Sequence, residues 1–72
     1  MTELEEKMEK INKYLKRAYN IGKNVPNGVN YDSISDILSL LVIEAEFKDN
    51  ITVSFDALSR EYASGFYDVV NE

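Results

Sequence analysis

Apolar residues recur along the first twenty positions at helical spacing: Leu4, Met8, Ile11, Leu15 and Ala18. That period of three and four places them on one face of an α-helix over residues 3–20. Thr2, with Glu5 three residues on, forms a capping box ahead of it. Acids (Glu3, Glu5, Glu6, Glu9) come first and bases (Lys10, Lys13, Lys16, Arg17) later, an order that suits the helix dipole. Glu3–Lys7, Glu6–Lys10 and Glu9–Lys13 are i,i+4 pairs in the favourable orientation, each worth roughly 0.2–0.5 kcal/mol. Gly22 reads as the stop.

Residues 22–32 carry a turn signal at Pro26-Asn27-Gly28, with Val25, Val29 and Tyr31 able to pin the loop to the core. A second capping box, Ser33 with Asp36, opens the next helix. On it Ile34, Ile37, Leu38, Leu41 and Ala45 form one face, Leu40, Ile43 and Phe47 widen it, and Val42 nearly closes the circle. A helix apolar over most of its circumference either sits centrally or has a partner on its far side. It ends at Lys48-Asp49-Asn50.

Ile51, Val53 and Phe55 alternate with Thr52 and Ser54, the pattern of a short strand. A lone strand has no edge to pair with, so an extended loop sealing the bottom of a bundle is the better expectation. Ser54 or Asp56 caps a last helical region with Leu58, Tyr62, Phe66 and Val69 or Val70 on one face. Gly65 within it is a break or a close-packing point. The expected fold is therefore all-α: a small three- to four-helix bundle, one domain over residues 1–72, with a short extended segment at 51–55. Leu4, Met8, Ile11 and Leu15 should pack against Ile34, Ile37, Leu38 and Leu41, with Leu58, Tyr62 and Phe66 closing the core.

Composition limits the chemistry. The 72 residues include neither His nor Cys, which removes disulfides, thiolate nucleophiles, imidazole bases and the common zinc sites. Asp32 and Asp36 are four apart at a helix start and read as solvated acids near its positive end. Glu44 and Glu46 diverge on a helix. The sequence carries no phosphate-binding loop, dinucleotide fingerprint or calcium-binding loop. The expectation is a protein that is not an enzyme, with no metal and no cofactor.

Thirteen acids against eight bases give a net charge of -5, which disfavours nucleic acid or an anionic membrane as partner. The charge is uneven: residues 1–17 sum to +1 and residues 18–72 to -6. The longest apolar run, Leu40-Leu41-Val42-Ile43, is far short of a membrane span, and the acidic N-terminus is unlike a signal peptide. A cytoplasmic location is expected.

Five tyrosines remain to be placed. Tyr is enriched where one end is buried and the other wet, at core edges and interfaces alike. Tyr14 and Tyr19 flank the main face of the first helix, and Tyr67 lies in the last. With Leu40, Ile43 and Phe47 they are the candidate protein-binding residues.

Asp32-Ser33-Ile34 at the start of the second helix resembles the Asp-Ser-Leu motif of the acyl and peptidyl carrier protein family. The stretch Glu44-Ala45-Glu46-Phe47-Lys48-Asp49-Asn50-Ile51 is similar to that family's acidic helix end with its buried Ile. The resemblance covers residues 30–58. It implies a phosphopantetheine group on Ser33, with Asp36, Glu44 and Glu46 on a face read by partner enzymes. The chain departs from the family in its shorter first loop and in the apolar Leu38 and Leu40 where the family is polar.

The leading expectation is a small acidic protein-binding or regulatory module with a protein partner, among them a second copy as a homodimer. The carrier protein is the alternative.

Overall fold

Thr2, Ser33 and Ser54 each open a helix. Each lies in extended backbone, and its hydroxyl accepts an amide three residues on: Glu5 at 3.2 Å, Asp36 at 3.3 Å and Ala57 at 3.1 Å. The helices they start, in this computed structural model describing residues 2–72, are α1 (Glu3–Asn24), α2 (Ile34–Asp49) and α3 (Phe55–Val70). The fold is a small all-α bundle of three helices, with no strand among the described residues.

Gly22 does not stop α1. The helix runs on to Asn24 and Val25 caps it, with the Pro26-Asn27-Gly28 turn following and Gly28 at a φ of 95°. Gly22 is instead a buried contact point, and Gly65 on α3 is its counterpart. A Cβ built on Gly22 would strike the Tyr62 carbonyl, and one on Gly65 would strike the Tyr19 carbonyl. With Ala18 also fully buried, α1 and α3 meet backbone to backbone. The principal partner of α1 is therefore α3, whereas the sequence expectation paired it with α2.

Helix α2 runs antiparallel to α1, with Glu44 beside Arg17 and Asp49 beside Lys13. It ends at Asn50 in the left-handed region (φ 52°, ψ 43°). That conformation lets the amides of Asn50 and Ile51 close on the Ala45 carbonyl, as in a glycine-type C-cap. The turn drops Ile51 and then Val53 into the core at 5% and 3% exposure, so the connector seals the bundle without a strand. Phe55 does not join them; it opens α3 and is exposed.

The core comprises Tyr14, Ala18, Leu38, Leu41, Ala45, Ile51, Val53 and Leu58, with Ile11, Leu15, Ile21, Ile34, Val42 and Tyr62 packed around it. Leu4 and Met8, expected to pack against α2, are exposed. Helix α1 has 22 residues against 16 in α3, and its residues 3–10 are all solvent-facing. The apolar stripe of the first helix thus continues past the end of the bundle that its upper half builds.

Candidate docking face on the second helix

Helix α2 presents two opposed apolar faces. Leu38, Leu41 and Ala45 are buried against the other helices. On the far side Asp36, Leu40, Ile43 and Phe47 fall in one row at i, i+4, i+7 and i+11, and all four are exposed. Leu40 is 62% exposed, Ile43 48% and Phe47 84%, so none of the three helps close this bundle. Together with Ile37 and Leu41 they line an open apolar groove, bordered by Arg17, Glu44 and Lys48.

The border is held by charge. Glu44 accepts from the Arg17 guanidinium and, at 3.4 Å, from Lys48. These cations, Arg17 first, hold its carboxyl below the usual carboxylate range. One turn on, Asp49 accepts from Lys13 at 2.8 Å and from the Tyr14 hydroxyl at 2.5 Å, and both bonds lower its pKa. The phenol of Tyr14 is pushed up to about 12 by the bond to Asp49 and by burial. Acids of the negative remainder are thereby set against bases of α1, and the C-terminal half of α2 is fixed to α1 with its apolar row outward.

The candidate residues scatter. Leu40, Ile43 and Phe47 come together, as their spacing requires. Tyr14 is 1% exposed and is core, not surface. Tyr19 is half-buried, donates to Asp68 at 2.6 Å and has Lys23 over its ring at 5.6 Å; the bond to Asp68 raises its pKa. Tyr67 is exposed on α3 and packs edge-on against Phe66 at 5.7 Å, so the tyrosines do not form one surface with the α2 row. Ser33 lies in a shallow hollow with Tyr31, Asp32 and Asp36, its hydroxyl engaged as the cap of α2.

Arg17, Ile37 and Lys48 belong to the groove but were not among the candidates. The i,i+4 spacing of Glu44 and Lys48 was the available signal for one of them. No grouping of acids that could hold a metal ion occurs among the described residues, and no helix among them is long and apolar enough to cross a membrane. The arrangement offers adhesive apolar area with an oriented charged edge.

Comparison with protein-family models, with curated proteins and with solved structures finds no match to this chain.

Proposed function

We propose that this chain is a small acidic, non-enzymatic protein-binding module of the cytosol that docks through the outward face of α2. The observation that carries the reading is the exposure of Leu40, Ile43 and Phe47 side by side on one helix face. Fully burying such a side chain is worth roughly 1.5–3 kcal/mol, so three adjacent ones give a helix-in-groove contact its main driving force. The fold does not draw on them, since Leu38, Leu41 and Ala45 already bind α2 to the bundle. The net charge of -5 disfavours a polyanionic partner and leaves protein as the favoured class.

The test is the double substitution Leu40→Ser with Phe47→Ser. The variant should keep its helical signal and lose the partner, a differently tagged second copy or another protein, that co-purifies with the native chain. Unchanged co-purification from a folded variant would reject α2 as the docking face.

A further inference from the structure

The outward face of α2 has a polarity along its length that says what fits it. At its N-terminal end the row begins with Asp36, an exposed acid that makes no ion pair among the described residues, and Asp32 stands just before the helix. At its C-terminal end the cations Lys48 and Arg17 border the groove around Glu44, which pairs with both and leaves that edge with one net positive charge. Between the ends lie Leu40, Ile43 and Phe47. A face that is acidic at one end, apolar in the middle and cationic at the other is complementary to itself when turned end for end.

We infer that the occupant of this face is a second copy of the same chain, packed α2 to α2 in antiparallel fashion about a two-fold axis. This rests on the reading of the α2 face as a binding surface. With the axis between Leu41 and Val42, Leu40 of one chain lies opposite Ile43 of the second copy. Phe47 then covers the stretch from Asp36 to Leu40, and Lys48 reaches Asp36. Each contact occurs twice, as an isologous interface demands. On the flank Glu46 meets Ser39, so no carboxylate is placed on a carboxylate. A parallel pairing puts Asp36 on Asp36 and Lys48 on Lys48, and charge alone selects against it. The overall -5 is screened beyond about 8 Å at physiological ionic strength and opposes the pair only weakly. One helix face is a small interface, so the association is weak.

Sedimentation equilibrium of the whole chain, from about 10 μM to about 1 mM as befits a weak complex, tests the pairing with charge exchange. The native mass should rise from one chain toward two. Asp36→Lys alone, and Lys48→Glu alone, should each weaken association roughly tenfold or more while keeping native helicity, because each places like charges in contact twice. An equimolar mixture of the two variants should associate again, since both contacts of the mixed pair are then opposite in sign. The chain carrying both exchanges should associate as the native one does.

A native chain that stays monomeric throughout overturns the second-copy assignment, as does a mixture that fails to recover. Neither result decides the docking-face reading, which stands or falls with the co-purification of the Leu40→Ser, Phe47→Ser variant. A monomeric native chain whose partner is still lost in that variant places a different protein on the face.

Discussion

Gly22 of α1 and Gly65 of α3 lie across from each other, each against the other helix's backbone: Gly22 at Tyr62, Gly65 at Tyr19. No side chain intervenes, and the bundle is built outward from this contact. Alanine at either position would gain about 1 kcal/mol of helix propensity and meet a carbonyl that cannot move without parting the helices. Overpacking of this kind costs roughly 1–3 kcal/mol and can cost more. Against a backbone carbonyl the cost lies at the upper end of that range, so Gly22→Ala and Gly65→Ala should each lower stability by about 2 kcal/mol net, read as a fall in urea midpoint. An unchanged or raised midpoint would mean that the helices are not in backbone contact.

Leu41 and Leu40 are neighbours in sequence with opposite fates, at 4% and 62% exposure. Leu41→Ala should cost about 2–5 kcal/mol, a threat to folding at this size. Leu40→Ala, measured on dilute chain, should stay within about 0.5 kcal/mol of native. Equal losses at the two positions would put both in the core.

The bond from Tyr14 to Asp49 predicts behaviour at both ends of the pH scale. Asp49 and Glu44 have pKa values lowered by their cationic and phenolic partners. Their contribution is complete above the ordinary carboxylate value and lost as pH falls through the lowered one, so stability declines on acidification. Tyr14 is raised from 10.0 to about 12. Its contribution is complete below pH 10.0 and lost as pH rises toward about 12. Phenolate absorbance should show an ionisation phase near pH 12 that Tyr14→Phe removes. A titration with no such phase, unchanged near pH 12 by Tyr14→Phe, would place Tyr14 in solvent.

Ser33 separates the helix-cap role from the carrier resemblance. Its hydroxyl already accepts the Asp36 amide. Ser33→Ala should cost about 0.5–2 kcal/mol as any lost N-cap does. Incubation with a phosphopantetheinyl transferase and coenzyme A should leave the native mass unchanged. A single added prosthetic group that disappears in Ser33→Ala would establish the carrier reading.

Local signals in the sequence were legible to the extent that they act locally. Thr2 and Ser33 were readable as caps and Asn50 as the end of α2, because a cap depends on the few residues beside it. The buried alternation of Ile51 and Val53 was readable as a loop that seals the core. What could not be read was the choice of partner. Gly22 looks like a stop from the sequence because close helix approach and helix termination ask for the same residue, and only α3 decides between them. Leu4 and Met8 repeat the apolar period of α1 faithfully, yet the length mismatch of α1 and α3 leaves them uncovered. Tyr14 read as a flank because its core role depends on Asp49, 35 residues away. The exposed α2 row was legible because a helix apolar on both sides needs more than one neighbour.

The docking claim is met most directly by a photo-crosslinking residue placed in turn at seven of the exposed apolar sites of the helices: positions 4, 8, 40, 43, 47, 67 and 70. The scan covers α1's overhang, the α2 row and the end of α3 in one experiment, and it registers a second copy or a foreign protein alike. Adducts from positions 40, 43 and 47, with none from 4, 8, 67 or 70, are the predicted result. Adducts concentrated at 4 and 8, or at 67 and 70, with none along α2, would contradict it.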